Sequence, residues 1–201
     1  MTPFDAAARI AQLGVSLELG DFPNVQRLHI FEDAVPAEYT DMIADMAPET
    51  VTLNGALMTE RDLQALLHFP SLQGIVAHRM GFANALLRAI VETANLQSIA
   101  MSYTTITDAD VAVLANRSGL TSIHLAGTQL TDAAMGTFGT VPDLELLDVS
   151  HTLVTTEGLA RLRDLRNLFT IDARGTGVTL EGANQFRRSV ANSLPDVEVL
   201  V

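Results

Sequence analysis

Apolar side chains recur along this sequence at a stride that no single helix or strand produces. Leu72, Leu96, Leu120, Leu144 and Leu168 stand 24 residues apart. Three residues after each come Ile75, Ile99, Ile123, Leu147 and Ile171; two further on come Ala77, Met101, Leu125, Val149 and Ala173. Val51 and Leu53 carry both columns back by one period. An alternating apolar pair flanked by small polar residues predicts a short strand. Beyond it lie Thr104, Thr128, Thr152 and Thr176, then Ile106, Leu130, Val154 and Val178, and then the column Thr59, Thr107, Thr131, Thr155 and Thr179. This last column predicts helix starts. Thr59 with Asp62 and Thr107 with Asp110 have capping-box spacing, and Asp108, Asp132, Glu157 and Glu181 put negative charge in the first turn, where the helix dipole favours it. Inward helix positions follow at Leu63, Leu87, Val111, Met135 and Leu159, and at Leu66, Ile90, Leu114, Phe138 and Leu162. Pro70, Gly119 and Pro142 then break the helices. A strand–helix unit this short cannot bury its own apolar face, so neighbouring units must stack on a shared core.

Read backwards, the period gives a first repeat shortened by one residue, with Val25, Leu28 and Ile30 in its strand and Val35, Pro36, Tyr39 and Ile43 in its return arm. Seven parallel units, spaced about 4.8 Å apart, predict a curved sheet roughly 30–35 Å long with helices on the convex side. Ahead of it, Phe4 to Leu13 has helical apolar spacing, Val15, Leu17 and Leu19 alternate, and Gly20-Asp21 with Pro23-Asn24 marks a turn. The expectation is an N-terminal helix and hairpin cap over 1–24, followed by one repeat domain over 25–201, with no linker between them.

Leu120-Thr-Ser-Ile123-His-Leu125-Ala-Gly-Thr128-Gln-Leu130-Thr131-Asp132 resembles the leucine-rich repeat family, in the variety L-x-x-L-x-L-x-x-T-x-L-T-D. The resemblance covers roughly 25–200 and is strongest over 96–180. It departs at Ala56 and Met80 in the strand-end threonine column and at Ala83 in the helix-opening one, so Val76 to Asn84 is the least regular stretch. The resemblance implies an α/β leucine-rich repeat solenoid, a horseshoe with a parallel concave sheet. It also implies a non-enzymatic module that binds a protein partner as a scaffold, adaptor or regulator.

Charge narrows the choice of partner. With 24 acidic and 12 basic residues the formal net charge is −12, which opposes phosphate backbones and anionic membrane surfaces, so neither nucleic acid nor membrane is expected. No apolar run reaches the length of a membrane span, and the basic region of a secretory signal is missing. Zero cysteines exclude disulfides and thiolate metal sites. A cytoplasmic protein follows as the expectation, with secretion lacking a signal peptide left open. Lysine is missing and every basic residue is arginine, which a GC-rich genome with arginine codons explains ahead of selection against lysine modification. Arg161, Arg163, Arg166, Arg187 and Arg188 concentrate on the helices of the last two repeats, where a solvated face paired with Asp164 and Glu157 is expected ahead of a partner-docking role.

Residues between the buried strand positions point to the opposite, open face. Its middle column runs His29, Thr52, Val76, Ala100, His124, Asp148, Asp172, and its neighbour runs Phe31, Asn54, His78, Ser102, Ala126, Ser150, Arg174. Most are small, which suits approach by a macromolecule better than a deep small-molecule pocket. The candidate partner-binding residues are His78, Arg79, Tyr103, His124, Asp148, His151, Asp172 and Arg174. The competing reading makes His124, Asp148 and Asp172 a metal site or a base with its orienter. Neighbours on parallel strands align automatically, however, and a Ser150, His124, Asp148 arrangement on an open sheet has no oxyanion hole, so neither a catalytic residue nor a cofactor is expected. At the C-terminal end, Val197, Val199 and Val201 predict a further strand, either shielded by Phe186 to Pro195 or available for edge-to-edge pairing in a homodimer.

Overall fold

The structure is a computed structural model, and it describes residues 15–19, 25–31, 49–54, 71–81, 83–90 and 93–201. The expected helix over Phe4 to Leu13, the return arm at Val35 to Ile43, and the helix starting at Thr59 with Leu63 and Leu66 lie outside the described residues. The chain forms two compact units, Met1–Leu96 and Gln97–Val201.

In the N-terminal unit, β1 (Val15–Leu19) pairs antiparallel with β2 (Val25–Phe31), as the hairpin reading expects. Parallel pairing then takes over, from β2 to β3 (Thr50–Asn54) and from β3 to β4 (Gly74–Val76). Leu28 faces Val51 and Ile30 faces Leu53, the register that the shortened first repeat requires. Val51, Leu53, Leu72, Ile75 and Ala77 are buried, and so is Met80, which fills the place of the strand-end threonine. The helix α1 (Ala83–Ile90) forms in the irregular repeat and buries Leu86 and Leu87.

The C-terminal unit is a leucine-rich repeat solenoid with one strand per repeat. β5 (Ser98–Ala100), β6 (Ser122–His124), β7 (Leu146–Asp148), β8 (Thr170–Asp172) and β9 (Glu198–Leu200) pair in parallel, with Ile99, Ile123, Leu147, Ile171 and Val199 in one register line. That line is almost fully buried, as are Leu120, Leu144 and Leu168. Chain returns run through α2 (Asp108–Val111), α3 (Asp132–Phe138), α4 (Thr156–Leu159) and α5 (Leu180–Val190). Two of these are a single α turn continued as 3-10 helix, over Ala112–Leu114 and Ala160–Leu162. Val111 with Leu114 and Leu159 with Leu162 stay buried, because a spacing of three residues keeps one face under either winding.

Two threonine columns lock each turn. Thr104, Thr128, Thr152 and Thr176 donate to the carbonyls of Met101, Leu125, Val149 and Ala173, at 2.8, 2.6, 2.6 and 2.5 Å. Each bond satisfies a carbonyl at the end of a strand. At the helix starts, Thr107 and Asp110 close the expected capping box, whereas Asp108 and Asp132 do more than complement a dipole. Asp108 accepts from the Thr131 amide at 2.9 Å and its hydroxyl at 2.7 Å; Asp132 accepts from the same groups of Thr155, both at 2.7 Å. Each aspartate therefore clips the next repeat in place. Asp132→Ala is expected to cost about 2 kcal/mol, the scale of hydrogen bonds to a charged acceptor. Asp132→Asn, which keeps one acceptor, is expected to cost less. Urea midpoints at an unchanged m-value check both.

At the C-terminal end, Val197 and Val199 are buried and Val201 is 42% exposed. The Arg187 Nη2, from α5, donates to the Val199 carbonyl at 3.2 Å. The side chains of Val197 and Val199 thus belong to the core, while pairing along the β9 edge would use backbone groups and is a separate matter. Among the described residues no helix is long and apolar enough to cross a membrane.

Candidate functional site

Pleating and register alone bring the open-face candidates together. His124, Asp148 and Asp172 are direct Cα partners across β6, β7 and β8. The side chains before them, Ile123, Leu147 and Ile171, and after them, Leu125, Val149 and Ala173, face the core, so these three must face away.

Their polar atoms are tied into two separate groups. The His124 Nε2 lies 3.0 Å from the Ser122 Oγ, two residues back on its own strand, and its Nδ1 lies 3.8 Å from the Asp148 Oδ2. At that second distance the imidazole acts on Asp148 as a neighbouring polar group and, when protonated, as a charge. The other carboxylate oxygen of Asp148 accepts from the Ser150 amide at 2.9 Å. In the second group, the Arg174 Nε and Nη2 grip Asp172 at 2.9 and 2.5 Å, and the Arg174 amide adds a bond of 3.2 Å. That fork leaves the Asp172 side chain only 12% exposed while Arg174 remains 63% exposed. Asp172 is therefore a covered carboxylate and not the open one that the sequence suggested, because Arg174 folds back over it. Its charge in turn raises the Arg174 guanidinium further above its ordinary range, through the hydrogen bonds first and the Coulomb attraction second.

The serine beside His124 is not the one in the Ser150, His124, Asp148 arrangement weighed and set aside from the sequence. Ser150 contributes its backbone amide to Asp148, and the hydroxyl that meets the imidazole belongs to Ser122. Burial pushes the Asp148 carboxyl up, but His124 and the Ser150 hydrogen bonds more than offset it, leaving the group below the ordinary 3.8. A carboxylate depressed by folding contributes stability above its ordinary value and loses it as pH falls through the lower folded value. The stability gap between the wild type and Asp148→Asn is accordingly expected to be widest near neutrality and to close below 3.8. Denaturant titrations of both proteins along an acid series check the sign.

A further column was hidden in the sequence. Arg79, Tyr103 and His151 adopt left-handed backbone with φ of 57°, 58° and 57°, and Gly127 and Gly175 do so with 64° and 68°. All occupy the same repeat position, seven residues after the repeat leucine. The turns after β4 to β8 adopt this conformation, and in the sequence its signal is the glycine that recurs at this position, Gly55, Gly127 and Gly175. In the C-terminal unit, Tyr103 and His151 stand on this turn at the rim of the open face, and both are exposed. His78 and Arg79 belong to the N-terminal unit, with His78 half-buried and Arg79 exposed.

Among the described residues, no group of three or more His, Asp or Glu side chains is arranged to hold a metal ion. The carboxylate oxygens of Asp148 and Asp172 turn to separate partners and do not converge on one point.

No protein-family model and no curated protein matches the sequence. An internalin, inlF from Listeria monocytogenes, aligns over 91% of this chain and 59% of its own length, at 15% identity and a TM-score of 0.49. The chain thus spans less than two thirds of that protein. A likeness of this size carries no weight for function, and the repeat architecture rests on the chain's own register.

Proposed function

We propose that this protein is a non-enzymatic interaction module that offers the open face of its C-terminal sheet to a protein partner, as a scaffold, adaptor or regulator. The repeat type that fits it is the threonine variety, L-x-x-L-x-L-x-x-T-x-L-T-D. One observation carries the reading. The outward positions of β6 to β8, with Arg174 just past the end of β8, hold their polar groups in prearranged neighbouring pairs, His124 with Asp148 and Arg174 with Asp172, among mostly small side chains. Fixed polar groups on a shallow floor lose little side-chain entropy when a partner covers them, which favours macromolecular recognition. A metal or catalytic role would instead need donors converging on a shared point, the geometry that the rival reading of His124, Asp148 and Asp172 requires. The formal charge of −12 supports a protein partner over nucleic acid or an anionic membrane. A cysteine-free composition suits the cytoplasm as the working compartment.

Affinity capture from the native cell tests this, comparing the wild type with an Asp148→Arg, Asp172→Arg double variant and with an Arg161→Glu, Arg163→Glu variant of the helical side. Partners lost with the first and kept with the second are the expected result. Loss with the second alone would overturn the reading.

A further inference from the structure

Of the five described left-handed positions in this column, two in the C-terminal unit are glycine and two carry a ring. Glycine adopts this backbone freely, whereas any other residue in it costs roughly 1–2 kcal/mol. The backbone is held there by ladder bonds: the Tyr103 amide donates to the Ala126 carbonyl at 2.7 Å, and the His151 amide to the Arg174 carbonyl at 2.8 Å. A side chain at such a position is costly, and these rings are not hidden in the core, since Tyr103 is 54% exposed.

The rings and the glycines form matched pairs. A Cβ on Gly127 would lie 2.5 Å from the Tyr103 ring, and one on Gly175 would lie 2.5 Å from the His151 ring. Each ring therefore lies over the bare backbone of the next repeat. Packing against backbone fixes its orientation, and both residues remain exposed at the rim. Two rigid aromatic platforms result, two repeats apart, or roughly 10 Å at the strand spacing. Strained, exposed and immobilised rings of this kind are what binding surfaces use as anchors.

We infer that Tyr103 and His151 anchor a cationic extended segment of the partner, an arginine-bearing stretch laid across the repeat turns beside Asp148. This rests on the interaction reading above and gives it a chemistry. Charge decides the class of occupant. The open face of this unit carries the carboxylates Asp148, Asp172 and Glu198 against the single cation Arg174, which is already bound to Asp172. A guanidinium stacks on an aromatic face and pairs with a carboxylate at once, and here an aromatic rim borders a carboxylate kept ionised.

Amide NMR titration of the full chain tests this, using a blocked peptide of alternating arginine and glycine and its glutamate counterpart. Shifts centred on Tyr103, Gly127, His151 and Asp148 with the arginine peptide alone are expected. Tyr103→Ala and Asp148→Asn are each expected to weaken binding about tenfold, one strong cation–π or ion-pair contact apiece. Thermal melts of both variants confirm that each remains folded. Shifts spread over the helix-start acids Asp108, Asp132 and Glu181 would show attraction to net charge alone and overturn the inference, as would equal binding of the glutamate peptide. If cellular partners depend on Asp148 and Asp172 while Tyr103→Ala leaves capture intact, the inference fails and the interaction reading stands.

Discussion

Phe138→Ala is expected to destabilise the protein by about 3–5 kcal/mol, the largest loss from any single truncation on the helical side. Phe138 closes α3, is fully buried, and is the largest of the completely enclosed side chains among the described residues. Its helix packs between α2 and α4, so the void would open where three repeats meet. Stacked repeats share one core and brace each other only through their immediate neighbours, which limits how far they can collapse into such a gap. For a chain of this size the loss corresponds to a fall in Tm of roughly 10 °C. Phe169→Ala is the matched control: that ring is 61% exposed, and its loss is expected to change stability by no more than about 0.5 kcal/mol. Equal effects from the two would mean that the packing order described for this unit is wrong.

The second large effect is expected at Gly127→Ala, about 2–4 kcal/mol from two independent causes. One is conformational, since φ of 64° costs an alanine roughly 1–2 kcal/mol. The other is steric, because the new methyl would lie 2.5 and 2.7 Å from the Tyr103 ring atoms Cδ1 and Cε1. The two causes separate in a double-mutant cycle. Adding Tyr103→Ala removes the ring and with it the clash, so the double variant is expected to recover about 1–2 kcal/mol and leave the backbone cost behind. Chemical denaturation of the four proteins gives the coupling directly. Strict additivity would show that the ring does not rest on Gly127.

How far the sequence reveals this molecule differs from column to column. Repetition at a fixed stride made the strands, the buried line through Ile123, Leu147 and Ile171, and the threonine helix starts legible, because each is demanded again in every unit. Helix winding was not legible. Val111 and Leu114 lie three residues apart, a spacing that an α turn and a 3-10 turn satisfy equally. Asp108 and Asp132 read as helix-start charges, and their grip on the threonine of the following repeat emerges only when the units are stacked.

The site was legible as a face but not as a network. Alternation along a strand places His124 and Asp148 side by side, yet says nothing of rotamers. The imidazole turned to Ser122 on its own strand, and Arg174 folded over Asp172, both choices made by local hydrogen bonds. The left-handed turn column was the most concealed, since Tyr103 and His151 masked what Gly127 and Gly175 advertised. A glycine recurring in alternate repeats is a backbone requirement in every repeat, and a bulky residue at the intervening positions then marks a place where the chain bears strain for another purpose.

Site-specific photo-crosslinking in the native cell addresses the working surface most directly, with a benzophenone residue in place of Ser122 on the open face or of Arg163 on the helical side. A discrete protein adduct from position 122 and none from position 163 is the expected result. Adducts from position 163 with none from position 122 would contradict the assignment of binding to the open face of the sheet.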